Sequence, residues 1–141
     1  MCVARTAKIL WLLFACALIT VGCGKKSAGF VGTWKTSDSP GSESTMTFNA
    51  DQTMSFAASN GPKQAPYKLT GMGTWKATDK DLTVVPAAMQ LDMQDRVAKM
   101  RLTPYIEKQV NVPQTGPVVW KGEDEFICTK NGVAQHFRRV R

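Results

Sequence analysis

From residue 30 onward the apolar side chains fall in short runs, alternating with polar ones, and each run closes on residues that favour turns. Period-two alternation is what a strand needs to bury one face and wet the other. The first run is residues 30–35, followed by the loop Ser37-Asp38-Ser39-Pro40-Gly41-Ser42. Residues 44–48 and 53–56 flank Asn49-Ala50-Asp51-Gln52; Met46 shares a face with Phe48, and Met54 with Phe56, which predicts a hairpin. After a longer loop at Asn60-Gly61-Pro62, residues 67–70, 73–76 and 82–85 predict three more strands, the last two joined through Asp79-Lys80-Asp81. Residues 118–121, 125–129 and 133–137 close the series, with Asn131-Gly132 as a two-residue hairpin turn. The class predicted is all-β.

One segment departs from this rhythm. Across residues 87–103, Met89, Met93, Val97 and Met100 recur at helical spacing, and Asp92 with Arg96 and Asp95 with Lys99 stand four apart in the favourable order. The spacing predicts one helix inserted near residues 88–102, ended by Pro104, with a looser connection through Pro117. Its methionines fit packing onto a sheet or barrel mouth, an adaptable ligand surface, or copper binding, the first being the simplest.

The leading 29 residues have a different pattern. Arg5 and Lys8 precede residues 9–21, in which Thr20 is the one clearly polar side chain, the build of a signal sequence. A helix crossing the hydrocarbon needs ~20 apolar residues, and this run stops at Gly22, Cys23, Gly24, Lys25 and Lys26. The stretch Leu18-Ile19-Thr20-Val21-Gly22-Cys23 resembles the lipobox of bacterial lipoproteins, with Thr20 where Leu is usual. That resemblance implies removal of residues 1–22, diacylation of Cys23, and a membrane partner reached through acyl chains at ~0.8 kcal/mol per buried CH₂. The competing sites, Leu13-Phe14-Ala15-Cys16 and cleavage after Ala15-Cys16-Ala17, leave a much shorter apolar core. Residues 24–29 then form a linker of roughly 13 Å if it behaves as a flexible coil. Lys25 and Lys26 in it either attract anionic headgroups or simply solubilise it. The resemblance to lipoproteins also implies a location in the cell envelope, on the periplasmic side of the outer membrane in a double-membraned bacterium, since Gly24 lacks the Asp that in such lipoproteins often signals inner-membrane retention.

The 141 residues have room for one domain, residues 30–141, with a modest core. From Cys23 onward 16 basic residues stand against 11 acidic ones, a net charge of +5. These cations are scattered rather than interleaved with stacking aromatics, which argues against a nucleic-acid partner. With Cys2 and Cys16 in the leader and Cys23 carrying lipid, Cys128 has no expected disulfide partner, and its alternation with Phe126 predicts a buried core residue. No C-x-x-C pair offers a zinc or redox site.

Gly32-Thr33-Trp34-Lys35 and Gly73-Thr74-Trp75-Lys76 nearly repeat one another. A glycine ahead of a tryptophan lets a backbone or large ring approach while the indole fills the space. The pair reads as architecture, with stacking on a ligand as the alternative. On residues 30–35, 45–56, 73–84 and 124–140 the chain resembles the lipocalin-like domains of small bacterial lipoproteins. The resemblance implies a small antiparallel β-barrel or strongly curved sheet, with Trp34 at the closed end beneath a late-strand arginine, Arg139 first and Arg138 second. Gln52 stands where such a hairpin usually has Gly, and residues 87–114 match poorly.

No catalytic or metal site is expected. His136 is the only histidine, no glycine-rich phosphate loop follows a strand, and the acids fall mainly in turns. No cofactor is called for beyond the lipid on Cys23, and the chain is not expected to be an enzyme. Two functions fit equally well. One is a binding module for a small apolar ligand, since about eight strands can just enclose one; the other is an envelope structural or protein-interaction factor whose barrel is filled by its own aromatic side chains.

Overall fold

Alternating strands that each bury one face must curl until their edges meet or leave an edge exposed. Here they meet. A computed structural model describes residues 29–36, 42–60 and 66–141; the leader, Gly22, Cys23, the linker as far as residue 28 and the loop residues 37–41 and 61–65 lie outside the described residues. Eight strands follow one another around a closed antiparallel barrel: β1 (Gly32–Thr36), β2 (Glu43–Phe48), β3 (Thr53–Ser59), β4 (Tyr67–Ala77), β5 (Asp81–Met93), β6 (Gln114–Trp120), β7 (Glu125–Lys130) and β8 (Val133–Arg139). Closure is made by β8 on β1, where Trp34 pairs with Arg139 and Lys35 with Arg138.

The hairpins form where the turn residues predicted them. Between β2 and β3, the Asn49 N–H donates to the Thr53 carbonyl at 2.9 Å, and the Asp51 carboxylate accepts from the amide and hydroxyl of Thr53. Gln52 occupies the left-handed region at φ 66°. Asn131 and Gly132, at φ 51° and 77°, turn β7 into β8 with the positive angles that a tight two-residue reversal requires.

Two strands are longer than the alternation predicted. Residues 67–70 and 73–76 belong to one strand, β4, because Gly71 and Gly73 carry the sheet through close approaches rather than interrupting it. A Cβ on Gly71 would lie 2.4 Å from the Phe56 ring, and one on Gly73 would lie 2.1 Å from the Val85 carbonyl oxygen. At Gly73 the register with β5 shifts, Met72 pairing with Ala88 and Gly73 with Pro86, so that Ala87 is an extra, bulged residue.

Among the described residues one helix stands between strands, as expected, but its limits differ. Residues 88–93 are the end of β5, and α1 runs over Arg96–Glu107. Asp95 is not a mid-helix partner of Lys99 but the N-cap, its carboxylate accepting from the N–H groups of Val97 and Ala98 at 2.9 and 3.0 Å. Pro104 lies inside α1 and forfeits one backbone hydrogen bond. Gln114 to Pro117, expected as loose connection, open β6; Pro117 is exposed opposite Asp81 while its neighbours Gly116 and Val118 turn inward and are buried.

The core sits toward one end. Phe30, Trp34, Phe48, Met54 and Phe126 are almost completely buried, joined by Trp75, Leu82, Val118 and Phe137. Phe30 precedes β1 and closes that end, its ring 4.7 Å from Trp120, 5.2 Å from Phe126, 6.2 Å from Trp75 and 6.4 Å from Phe48, centroid to centroid. The tilted and edge-on angles suit aromatic quadrupoles better than parallel faces would.

Candidate functional site

The two ends of the barrel differ in how their described residues are buried. At the closed end the sequence-derived motif residues come together. The Arg139 guanidinium stands 4.3 Å over the Trp34 ring and donates to the Val31 and Gly29 carbonyls at 2.8 and 2.6 Å. Its Nε lies 3.3 Å from Asp124 Oδ1. Gly32, at φ 133°, leaves room for it: a Cβ there would fall 2.6 Å from Arg139 Nη1. The Trp34 indole N–H donates to the Phe30 carbonyl at 2.7 Å, which ties the plug to the first strand. Arg138, one residue earlier, points outward and is exposed. Trp75 sits on β4 across the core, its indole N–H donating to the Asn49 carbonyl at 3.0 Å. All of these polar groups are engaged within the protein, so this end is built to hold the barrel shut.

The opposite end is different. Following the inward-facing positions along each strand, burial is complete at the level of Trp34, Phe48, Trp75 and Phe126 and then relaxes. Met46 on β2, Phe56 and Ala58 on β3, Leu69 on β4, Met89, Leu91 and Met93 on β5, and Cys128 on β7 all remain half-buried. These half-buried apolar positions make up the upper inward surface, here termed the cup, and above Val84 β5 stands in it without a β6 partner. The helical spacing predicts Met89 and Met93 on a helix, whereas they stand on the inward face of β5; Met100, the third methionine of that pattern, is 76% exposed on α1.

A small polar group stands on the β6–β7 side of the cup. Lys130 is the next inward position after Phe126 and Cys128, and its ammonium donates to Gln114 Oε1; Gln114 in turn donates to Gln109 Oε1 at 3.2 Å. Burial pushes the Lys130 pKa down. Burial likewise raises the Cys128 thiol, an effect opposed by the nearby Lys130 and reinforced by Asp81. Among the described residues no carboxylate forms an ion pair with Lys130. The signal for Lys130 was legible, since 126, 128 and 130 share the period-two face, but a lysine at a strand end reads first as solvent-facing.

Elsewhere, His136 is exposed and lies 3.8 Å from a Glu125 oxygen. Among the described residues no group of three His, Cys, Asp or Glu side chains converges as a metal site. A depression of about 430 Å³ on α1, lined by Arg96, Lys99, Met100, Thr103 and Pro104, is open to solvent. Cys23 and Gly22 lie outside the described residues. No family model matches the chain, and no curated protein matches it. What is defined is the class: a closed, eight-stranded, up-and-down antiparallel β-barrel with one helix before its sixth strand.

Proposed function

We propose that the chain is an exported envelope lipoprotein, cut before Cys23 and held on a membrane by acyl chains, whose lipocalin-like barrel binds a small apolar ligand in its upper lumen. The observation that carries the ligand reading is the gradient of burial along the inward-facing positions, from a dry aromatic plug to the half-exposed Met46, Phe56, Leu69, Met89 and Leu91. Apolar side chains facing into a cup gain by excluding water, at about 25 cal/mol per Å² of surface covered. An apolar ligand recovers that term. The anchor reading rests on residues 9–23 of the sequence.

A second reading, an interaction factor, is favoured by α1. Val97, Met100 and Tyr105 are exposed on it beside Arg96 and Lys99. Native mass spectrometry of the protein purified from its own membranes separates the two: a bound small molecule supports the ligand reading, and a bound protein with an empty lumen supports the other. Cys23→Ala tests the anchor; the variant is expected to accumulate as an uncleaved precursor or leave the membrane fraction, and normal processing with normal lipid labelling refutes the assignment.

A further inference from the structure

Among the described elements α1 alone has no buried side chain. Four of the nine large apolar side chains that the described residues expose stand on it: Val97, Met100, Leu102 and Tyr105. Ala98, Thr103 and Ile106 are its half-buried positions and mark the inner side. Val97, Met100, Arg101, Pro104 and Lys108 follow at spacings of three and four and share the opposite, exposed face. A helix of 12 residues with Pro104 inside it is marginal in water unless one side is packed. Its outward apolar side chains therefore gain from any surface that covers them.

Charge identifies the kind of surface. Arg96, Lys99, Arg101 and Lys108 stand against one acid, Glu107, because the Asp95 carboxylate is engaged by the amides of its own helix. Among the described residues none of these four cations forms an ion pair. A nucleic acid would neutralise the cations but leave Val97, Met100 and Pro104 wet. A bilayer interface takes both: apolar side chains enter the boundary between headgroups and acyl chains, while the long Arg and Lys stems reach phosphates from any position around the helix. We infer that α1 docks flat on an anionic lipid surface, with Val97, Met100 and Tyr105 inserted and Arg96, Arg101 and Lys108 on the phosphates. This docking goes beyond both readings above, since it needs neither a ligand in the barrel nor acyl chains on Cys23; an acyl tether would only keep such a surface within reach.

The test uses the full chain carrying Cys23→Ser, so that no acyl group contributes. Because the apolar leader can itself enter lipid, the signal is read on α1: ¹³C-methionine methyl resonances are followed in small bicelles containing a spin-labelled lipid. With phosphatidylglycerol mixed into phosphatidylcholine, the Met100 methyl should broaden, while that of Met72, equally open to solvent on the outside of β4, should not. In phosphatidylcholine alone the Met100 broadening should be lost. Each cation at an anionic surface contributes about fivefold in affinity, so Arg101→Gln with Lys108→Gln should weaken docking roughly 25-fold and remove the broadening. Val97→Ser with Tyr105→Ser, which keeps the charge and removes two inserted side chains, should remove it as well. Lys68→Gln with Lys76→Gln, the same change of charge on the exposed face of β4, should leave it in place. All six positions are exposed or in α1, and unchanged near-ultraviolet circular dichroism checks that each variant keeps its barrel. Equal broadening of Met72 and Met100, equal broadening in neutral lipid, or loss caused as readily by the β4 pair overturns the inference. No broadening of Met100 in anionic lipid also overturns it and leaves α1 to a protein partner, with the readings of Cys23 and of the barrel interior untouched.

Discussion

Replacing Arg139 by Met keeps the aliphatic stem and removes the guanidinium, and so isolates what closes the barrel. Arg139 is the residue through which β8 grips β1 and the plug: two short bonds reach the Val31 and Gly29 carbonyls, and the cation stands over Trp34. Hydrogen bonds involving a charged donor contribute about 1.5 kcal/mol each and a cation–π contact about 1 kcal/mol, giving about 4 kcal/mol together. The Asp124 pair is half-exposed and adds little. Rehydration of the freed carbonyls at the barrel end returns part of the loss, which leaves about 3 kcal/mol. For a domain of this size that is a fall in Tm of about 12 °C. Urea unfolding followed by tryptophan fluorescence should show the midpoint falling with an unchanged slope, because the same surface is exposed. Arg139→Lys, which keeps the charge but not the fork, should recover about half. A double-mutant cycle with Trp34→Phe should give a coupling of about 1 kcal/mol. An Arg139→Met protein within about 0.5 kcal/mol of the parent would refute the reasoning, since changes that small are typical of surface positions away from any structural feature.

Two further outcomes follow from local geometry. Gln52 sits at φ 66°, a conformation that costs a non-glycine residue about 1 kcal/mol, so Gln52→Gly should raise stability by a few tenths to about 1 kcal/mol in the same unfolding assay; a loss would show that the Gln52 side chain does more than tolerate the turn. Cys128 has its thiol pKa raised by burial, so alkylation at pH 8 should be slower than for an unfolded-chain cysteine and reach half its maximal rate above the ordinary thiol range. The unfolded thiol ionises first, so this group's contribution to stability declines as pH rises through the unfolded value and on toward the folded one. A rate equal to that of a free thiol would contradict the burial.

The all-β class and the hairpins at 49–52 and 131–132 were legible because turn chemistry and period-two alternation act locally. The Met-containing segment was not. Met89, Met93 and Val97 satisfy a helical period, while Met89, Leu91 and Met93 satisfy a strand period equally well, and only pairing with Tyr67 to Gly71 on β4 decides between them. That pairing is a long-range event. Asp95 carried the missing signal, an N-cap side chain ahead of α1, but its spacing to Lys99 also suited an in-helix ion pair. The role of Phe30 was hidden for a related reason: adjacency to Val31 reads as strand, and its function as a plug exists only once four distant rings surround it. Pro86 and Pro117 inside strands run against local propensity; β5 and β6 pair with one another only over 81–84 and 114–117, near the ends of that ladder.

Methyl NMR of the full chain carrying Cys23→Ser and ¹³C-labelled methionine tests the proposed ligand site most directly. On titration with dodecanol, the methyls of Met46, Met89 and Met93, which line the cup, should shift together and saturate at one equivalent, while Met72 and Met100, exposed on the outside of the barrel and on α1, should not move. Shifts confined to Met72 and Met100, or no saturable change at the three lumenal methyls, would contradict the account.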